Sequence, residues 1–389
     1  MAITHDLDQD DSIVSGMEFE EFDVIVVGAG AAGIGVGVSL LHAGVENFLI
    51  VERESVGASF SAWPDETRFI TPSFPSNSIG MLDLNSIAIG ISPAFSMKVE
   101  HPTGKEYATH LQDIVDFFEL PILEKTNISS IEKIQDLFHL ETTDTTLQAR
   151  NVIWAAGEYQ YPLLEAFEGS HLCRHTATIP SYKDLEGDSF LIIGGYESGI
   201  DAAYHLSSNG KNVKVFDLNS PWDEESSDPS ITLSTYSFER IRNPKFEKNV
   251  DLCSQTAICS VELIDGIYKV NTEDGQVFES TSQPLFAGGF EGSHRFISHL
   301  FEEREDGFPL ITENDESTIM PGLFLCGPSV RHDGHIFCFI FKYRQRFAIV
   351  AQAIASTLGY DTDEFVEAYR GWGMYLDDLS CCGQECLTC

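Results

Sequence analysis

The sequence predicts an α/β protein of two nucleotide-binding-type domains, in which parallel sheets are covered by helices and accompanied by small antiparallel meanders. From Phe22, the apolar run FDVIVV, the glycine-rich GAGAAG, a helical pattern ending at Gly44 and the run NFLIVE form one βαβ unit. From Ser189, the segments FLIIGG, YESGIDAAYHLSSNG and NVKVFD repeat that order. A chain of 389 residues is long enough for two or three domains. Both units are therefore predicted to be Rossmann-like.

The segments around these two units predict the remaining elements. Residues 1–21 hold seven acidic residues and no Lys or Arg, which indicates a flexible, solvated extension. Residues 55–103 are loop-rich, and EYATHLQDIVDFFEL then has the spacing of an amphipathic helix. The segments ICSVELID, IYKVNTEDG and QVFES predict a meander. The apolar pattern over residues 336–359 predicts one long helix that ends at Gly359.

The charge of the chain excludes some partners. There are 61 acidic and 23 basic residues, a formal net charge of -38, and such a surface repels nucleic acid and anionic membranes. An acid excess spread along the whole chain indicates a halophilic protein from a cell with a salty cytoplasm. The alternative is an ordinary acidic protein that works at low salt. The sequence has no apolar run long enough to span a membrane and no signal peptide at its N-terminus, so we expect a cytoplasmic protein.

The first glycine-rich segment has the pattern of a dinucleotide site. Gly28, Gly30 and Gly33 follow a predicted strand and open a predicted helix. Such glycines allow a tight turn, a close approach of the backbone to a pyrophosphate and close helix packing. Glu52 ends the next strand, where a carboxylate can accept hydrogen bonds from ribose hydroxyls. Strand, helix and terminal acid together predict that this unit binds a dinucleotide.

The second glycine-rich segment departs from that pattern at one position. Gly194, Gly195 and Gly199 are present and Asp217 ends the following strand, but Tyr196 stands where the second glycine of the pattern belongs. A side chain there crowds or re-routes the pyrophosphate, so a relic unit that binds no dinucleotide is the alternative. Asp217 would accept from a 2′-hydroxyl and repel a 2′-phosphate, which favours NADH over NADPH.

Two such units in one chain resemble the FAD/NAD(P)H flavoproteins. AAGEYQYP at residues 155–162 resembles the linker of flavin monooxygenases and thioredoxin-reductase-like enzymes, and PGLFLCGPSV the strand that closes over their flavin. RFITPSFPSNSIGMLDL and the second fingerprint are most similar to bacillithiol disulfide reductases. The resemblance implies FAD and NAD(P)H as cofactors, an FAD domain split over residues 22–158 and 285–372, and an NAD(P)H domain at residues 159–284.

The resemblance and the fingerprints together assign two sets of cofactor-binding residues. In the FAD domain these are Gly28, Gly30, Ala31, Ala32, Gly33, Glu52, Arg53, Ser59, Phe60, Trp63, Ala156, Gly157, Gly327 and Pro328. In the NAD(P)H domain they are Gly194, Gly195, Glu197, Ser198, Gly199 and Asp217. Trp63 is equally well explained as a core residue.

Several positions depart from the families that the chain resembles. No CxxxxC follows the first fingerprint and no CxxC lies in the second domain, although disulfide reductases usually carry one of these pairs. Ala31 and Ala32 fill the loop in which bacillithiol disulfide reductases have a cysteine, and Pro328 replaces an Asp of many relatives. In the monooxygenase pattern FxGxxxH, Cys173 takes the place of the histidine.

The last residues form a cysteine-rich tail, which we assign to residues 373–389. Cys381, Cys382, Cys386 and Cys389 lie in LSCCGQECLTC, and LSCC resembles the end of mercuric reductase. Thiolates at this density suit a dithiol relay to a flavin, a soft-metal carrier, or a zinc or iron–sulfur site. A tail with incidental thiols is the remaining alternative. We take the four cysteines as candidate catalytic residues and assign no residue as a metal ligand.

Two other polar clusters invite a function. His332, Asp333 and His335 could form an acid/base or metal cluster near the flavin, or could satisfy loop hydrogen bonds. The basic residues near the start of the predicted long helix could bind phosphates or neutralise local acids; they are Lys342, Arg344 and Arg346. Cys326 and Cys338 lie in apolar runs and are predicted to be buried and inert.

The leading hypothesis is an FAD-dependent NAD(P)H oxidoreductase that passes electrons through the tail cysteines to a small disulfide, a thiol or a thiol-bound soft metal. The second is a flavin monooxygenase, in which the tail is an accessory metal-binding or docking element. A third, non-enzymatic hypothesis is a metal-binding or partner-docking flavoprotein. The resemblance also implies a homodimer, which would let the tail of one subunit reach the flavin of the other.

Overall fold

The computed structural model describes residues 21–76, 79–226 and 230–379. Almost all of the predicted N-terminal extension and the four tail cysteines, Cys381, Cys382, Cys386 and Cys389, lie outside the described residues. Within them, the mixed α/β fold is confirmed. None of the described helices is both long and apolar enough to cross a membrane.

The first sheet is built mainly from the N-terminal part of the chain. Its strands are β1 (Glu21–Val27), β2 (Phe48–Val51), β3 (Ile122–Leu123), β4 (Ser130–Ile134), β5 (Leu137–Glu141) and β6 (Thr146–Trp154). The accompanying helices are α1 (Ala31–His42), α2 (Ala58–Ser61), α3 (Pro93–Met97) and α4 (Gly104–Phe118). The strand order is β3-β2-β1-β6-β5-β4, with β1 parallel to both β2 and β6. Val27 is in register with Val51 and with Trp154, so the residues that follow these three strands meet at one edge.

The second sheet is parallel throughout and carries its own helices. Its strands and those of the adjoining meander are β7 (Arg174–His175), β8 (Ser189–Ile193), β9 (Asn212–Phe216), β10 (Val250–Cys253), β11 (Ile258–Ile264), β12 (Ile267–Thr272), β13 (Val277–Ser280) and β14 (Leu285–Phe286). The helices are α5 (Glu197–Ser208), α6 (Thr235–Ile241) and α7 (Pro244–Asn249). The sheet order is β10-β9-β8-β14-β7, and β11 to β13 form the predicted antiparallel meander.

The chain then returns to the first sheet. The remaining strands and helices are β15 (Glu302–Glu303), β16 (Pro309–Leu310), β17 (Leu323–Leu325), β18 (Arg331–His332), β19 (His335–Ile336), α8 (Ile340–Tyr343), α9 (Phe347–Thr357) and α10 (Asp363–Gly371). Short 3-10 helices lie at Ser170–Leu172, Thr176–Thr178, Tyr182–Asp184, Ser293–Leu300 and Arg344–Arg346. β17 pairs in parallel with the end of β6 and so extends the first sheet.

The single long helix predicted over residues 336–359 is wrong. Ile336 is extended because it pairs with Arg331 in the β18–β19 hairpin, and the helix proper starts only at Ile340. A 3-10 turn at Arg344–Arg346 then separates α8 from α9. Apolar periodicity alone does not register either interruption.

The buried apolar side chains form separate cores. One contains residues from both ends of the described chain, for example Val24, Ile153 and Phe347. A second contains residues of the middle part, for example Ile192 and Leu285, and a smaller third core lies under the meander. The domain boundaries remain a prediction, which this separation of the cores supports.

Candidate functional site

The first glycine loop has the geometry that its glycines predict. Gly28 has a φ of 108°, and a Cβ on it would lie 2.7 Å from the carbonyl oxygen of Ala155. A Cβ on Gly33 would lie 1.8 Å from the carbonyl oxygen of Gly28, so α1 can approach the strand end only with a glycine there. A Cβ on Gly30, by contrast, would have no atom within 4 Å. The loop therefore packs tightly against the strand end at Gly28 and Gly33 and is accessible at Gly30. A diphosphate site at a helix N-terminus requires this arrangement.

Glu52 ties this loop to the end of β2. Its Oε2 accepts a hydrogen bond of 2.8 Å from the backbone N–H of Ala29, and its Oε1 accepts one of 2.8 Å from Glu54. An ionised carboxylate has about four acceptor positions. Glu52 can therefore hold the loop and still accept from a ribose hydroxyl.

A cavity of about 1280 Å³ begins at this loop. The following predicted site residues line it: Gly28, Gly30, Ala31, Ala32, Glu52, Arg53, Ser59, Phe60, Trp63, Ala156, Gly157, Glu197, Ser198 and Pro328. The other predicted site residues do not line it: Gly33, Gly194, Gly195, Gly199, Asp217 and Gly327. Gly327 instead packs behind the loop, since a Cβ there would lie 3.1 Å from the Cβ of Ala32. The cavity thus joins the first glycine loop to the N-terminus of α5 in the other unit.

Aromatic side chains form one wall of the cavity. The ring centroid of Trp63 lies 5.4 Å from that of Phe60 and 5.0 Å from that of Phe69. Tyr159 stands 6.4 Å from Trp63 and 5.0 Å from Phe290. Trp63 therefore serves both of the roles open to it, as a packed residue and as part of the cavity wall. An apolar wall of this kind suits a flat, aromatic ring system.

Sequence reasoning missed a titratable group in the cavity. Glu158 lines the cavity, and burial raises the pKa of its carboxyl against the opposing charge of Arg331. A carboxyl whose pKa is raised in a cavity is a candidate for proton transfer. Its position directly after AAG was the only available signal.

Cys338 was predicted to be buried and inert, and the structure corrects the predicted burial. It is half-buried and lines the same cavity. Its Sγ lies 3.1 Å from the Oγ of Ser230, to which the Nζ of Lys342 donates at 2.7 Å. Burial raises the pKa of the Cys338 thiol, while the charges of Lys342 and Arg331 oppose that shift. At neutral pH the group is therefore a protonated thiol facing the cavity.

The histidine cluster has a structural role. His332 Nε2 lies 2.5 Å from Oδ1 of the fully buried Asp315, and His335 Nδ1 lies 3.0 Å from the carbonyl oxygen of His332. Among the described residues no group of three His, Cys, Asp or Glu side chains is arranged to hold a metal ion.

The basic residues of this region bind backbone and acids. Arg346 makes a bidentate pair with Asp315, through Nε at 3.0 Å and Nη2 at 2.8 Å. Arg344 donates to the carbonyl oxygens of Asp83 and Ser86. Arg344 and Arg346 therefore stabilise the fold, and their donors point to carbonyl oxygens and to Asp315, which favours this role over phosphate binding.

The second glycine loop repeats the backbone of the first. Gly194 has a φ of 96°, and a Cβ on Gly199 would lie 1.9 Å from the carbonyl oxygen of Gly194. Asp217 Oδ2 accepts from the backbone N–H of Gly195 at 2.7 Å, as Glu52 does for Ala29. The carboxylate of Glu197 caps the start of α6, accepting from Ser234 N and Ser237 Oγ at 2.5 Å each.

Buried polar contacts fasten the two units together beside the cavity. Glu66 accepts from the Oγ of Ser181 at 2.7 Å. Thr67 Oγ1 donates to Asp201 at 2.6 Å, and Asp201 also pairs with the buried Arg240. Burial alone would raise the pKa of Asp201, but the nearby His205 and Arg240 lower it to about 2. The Asp201 carboxylate is thus held ionised at the junction of the units.

We expect replacement of Asp201 by Asn to destabilise the protein in a pH-dependent way. The folded pKa of about 2 lies below the unfolded value of about 3.9, so the carboxylate contributes roughly 2 kcal/mol above that value and loses it as pH falls towards 2. The difference in unfolding free energy between wild type and Asp201→Asn should therefore be constant from pH 7 to 5 and narrow below pH 4. Denaturant unfolding at several pH values measures it. The control Thr357→Val removes one hydrogen bond between uncharged groups, from Thr357 Oγ1 to the carbonyl oxygen of Ile354, and its cost of about 1 kcal/mol should not change with pH.

The chain is similar to known proteins in sequence and in fold. A family model described as pyridine nucleotide-disulphide oxidoreductase matches residues 25–327. The uncharacterized oxidoreductase CzcO of Bacillus velezensis is 28% identical over 190 residues, which are 48% of this chain and 52% of that protein. The chain thus spans about half the length of the curated relatives it matches.

Two solved structures illustrate the likeness in fold. The bacillithiol disulfide reductase of Staphylococcus aureus superposes with a TM-score of 0.71 at 19% identity, covering 87% of this chain and 99% of that one. A flavin-containing monooxygenase from Stenotrophomonas maltophilia gives 0.67 at 16% identity, covering 87% and 100%. At these identities the likeness establishes the fold alone, and it confirms the fold predicted from the two βαβ patterns.

Proposed function

Because the chain belongs to the pyridine nucleotide-disulphide oxidoreductase family, we propose that it takes hydride from NAD(P)H onto FAD and passes electrons to a thiol, a disulfide or a thiol-bound soft metal through its C-terminal cysteines. Membership of this family favours an oxidoreductase over the non-enzymatic hypothesis. The reaction and the acceptor are the proposal. The observation that carries it is the continuous cavity of about 1280 Å³ that runs from the first glycine loop to the N-terminus of α5.

The residues of the first unit fit FAD. A Cβ built on Gly30 would have no atom within 4 Å, and this space at the N-terminus of α1 would hold the diphosphate. Glu52 would accept a hydrogen bond from the adenosine ribose. The wall of Phe60, Trp63 and Tyr159 would exclude water from the ring system. A bound flavin supplies hydride acceptance and onward electron transfer. Glu158 can hold or release a proton beside it.

The second unit is the proposed NAD(P)H site. The backbone of its glycine loop and the placement of Asp217 support this assignment, and a carboxylate at the end of β9 favours NADH because it repels a 2′-phosphate. Glu197 and Ser198 open the α5 N-terminus into the shared cavity. A nicotinamide entering there would face the first unit.

The four tail cysteines follow shortly after residue 379, the last residue that the structure describes. The free cysteines among the described residues are Cys173, Cys253, Cys259, Cys326 and Cys338, and none of them forms a disulfide there. The first residues of the tail are held close to the cavity, because Leu376 N donates to Gln345 O at 3.1 Å and Arg346 Nη1 donates to Leu376 O at 2.5 Å. Tyr343, two residues before Gln345, lines the cavity. Five residues span at most roughly 17 Å, so the proposal requires Cys381 to meet the flavin within that distance of Leu376.

We expect anaerobic reduction by NADH to generate about two free thiols per flavin in the wild type and none in a Cys381→Ser/Cys382→Ser variant. The flavin spectrum and thiol titration before and after reduction measure both quantities. The matched control Cys259→Ser changes an exposed cysteine of the meander and should leave the gain at two. An equal thiol gain in wild type and double variant would contradict the relay.

A flavin monooxygenase is the second candidate. The specific observation in its favour is that the described residues hold no cysteine pair beside the cavity. In that case the flavin should bleach with NADH without any gain in thiols, and a tail-deleted protein should still take up O2 in the presence of substrate. The thiol measurement therefore separates the two functions.

A further inference from the structure

The two glycine loops of this chain can be compared atom for atom. Gly28 and Gly194 have φ values of 108° and 96°, and the third glycines, Gly33 and Gly199, would place a Cβ 1.8 Å and 1.9 Å from the preceding loop carbonyl. Each loop also donates a backbone N–H to the acid that ends the next strand, at 2.8 Å and 2.7 Å. The two glycine loops therefore have the same backbone conformation at these positions.

They differ at the position that faces the ligand. Gly30 has φ -85° and ψ -172°, and Tyr196 has φ -76° and ψ -166°, so the Cβ vectors of the two residues point the same way relative to their loops. At Gly30 that vector points into open space that belongs to the cavity. At Tyr196 the same space holds a phenol side chain. The pyrophosphate of a dinucleotide would come closest to the backbone at this position.

Specific contacts hold the Tyr196 side chain in place. Its hydroxyl donates to the carbonyl oxygen of the buried Thr232 at 2.8 Å, and its ring packs partly buried against the second core. Trp222 lies beside it over Gly195, where a Cβ would come within 2.2 Å of the indole ring. The indole Nε1 of Trp222 donates to Ser254 Oγ at 2.9 Å. The Tyr196 side chain is therefore held in one position by its hydrogen bond and by its packing.

We propose that Tyr196 is a gate that sets the affinity of the second unit for pyridine dinucleotides. The ring must leave Thr232 and the second core before the diphosphate can approach the backbone at residue 196, since Glu197 and Ser198 already line the cavity. The apparent affinity is then lowered by the fraction of molecules in which the gate is open. This inference rests on the proposed function, since it concerns the same NAD(P)H site, and it identifies Tyr196 as the residue that limits its occupancy.

Calorimetric titration of the flavin-loaded protein with NAD+ tests the gate, because binding of NAD+ needs no electron transfer. Tyr196→Gly restores the residue found in the first loop, and we expect its affinity for NAD+ to exceed that of the wild type roughly tenfold or more. Tyr196→Phe keeps the ring but loses the bond to Thr232, and should tighten binding about fivefold, the factor of one ordinary hydrogen bond. The matched control Tyr360→Phe changes a tyrosine that is 44% exposed and should bind as the wild type does.

Equal NAD+ affinity in the wild type and Tyr196→Gly would overturn the gate, as would absence of binding in both. If Tyr196→Gly does not fold, Tyr196→Phe still decides, because an affinity equal to that of the wild type contradicts the gate. A failure of the proposed function looks different. In that case NAD+ binding follows the graded order, yet NADH does not bleach the flavin of any variant under anaerobic conditions.

Discussion

A Gly30→Tyr variant should fold and lose its flavin. The backbone of Gly30 is extended, with φ -85° and ψ -172°, so a tyrosine adopts it without strain. A Cβ there meets no atom within 4 Å, so the fold has room for the new side chain. That room is the cradle in which we place the diphosphate. Charge-assisted hydrogen bonds to backbone N–H groups contribute roughly 1.5–3 kcal/mol each, so losing two of them should weaken FAD binding a hundredfold or more.

The flavin-to-protein ratio of the purified variant measures this effect, and we expect less than about a tenth of the wild-type ratio, with an unchanged circular dichroism spectrum. Gly334→Tyr is the matched control. It makes the same substitution at a glycine that also has no atom within 4 Å of its Cβ position, in the turn of the β18–β19 hairpin. Gly334→Tyr should retain full flavin. Wild-type flavin content in Gly30→Tyr would remove the first loop from the proposed FAD site.

Together with Tyr196→Gly, this variant exchanges one residue between two loops of the same backbone. Loss of flavin at the first loop and gain of NAD+ at the second would mean that one side chain decides whether a loop of this geometry is occupied. The remaining glycines of the pattern would then be structural, as the 1.8 Å and 1.9 Å approaches at Gly33 and Gly199 indicate.

The features that followed from the sequence are those set by local pattern. Strand ends and glycine spacing predicted that Glu52 and Asp217 lie beside the glycine loops, because the acid and the loop belong to one βαβ unit, whereas their hydrogen bonds to the loop N–H groups were seen only in the structure. The two Rossmann-like units were predicted for the same reason. The presence of Tyr196 was visible in the sequence, but its bond to Thr232, 36 residues away, was not.

Features set by distant parts of the chain were not predictable. Cys338 lines the cavity and contacts loop residue Ser230 of the other unit, which lies 108 residues away in the chain. The long helix predicted over residues 336–359 failed because pairing in the β18–β19 hairpin takes Ile336 and a 3-10 turn replaces the helix at Arg344. In each case tertiary contacts overrode an apolar pattern that was locally correct.

The largest loss of stability is expected from Asp315→Asn. Asp315 is fully buried and pairs through both oxygens with Arg346, which is 1% exposed, while His332 contacts Oδ1 at 2.5 Å. Asn keeps the shape but removes the charge and leaves the Arg346 guanidinium buried without a counter-ion. Breaking a buried pair in this way costs about 3–5 kcal/mol. Denaturant unfolding should show that loss, and thermal unfolding a midpoint lower by roughly 10 °C.

The exposed pair between Arg295 and Glu291 provides the matched control. These side chains are 61% and 38% exposed, and Glu291→Gln should change the unfolding free energy by no more than about 0.5 kcal/mol. High salt should screen that small effect and leave the loss in Asp315→Asn unchanged, because a buried pair is little screened.

Arg346 also donates to the carbonyl oxygen of Leu376. If Asp315→Asn frees Arg346 from this position, the segment that leads to the cysteine tail loses its anchor, and limited proteolysis should cut after residue 371 before the rest of the chain unfolds. Uniform protection of that segment in Asp315→Asn would show that its other contacts suffice to hold it, among them the bond of Leu376 to Gln345 and that of Tyr375 to Gln352.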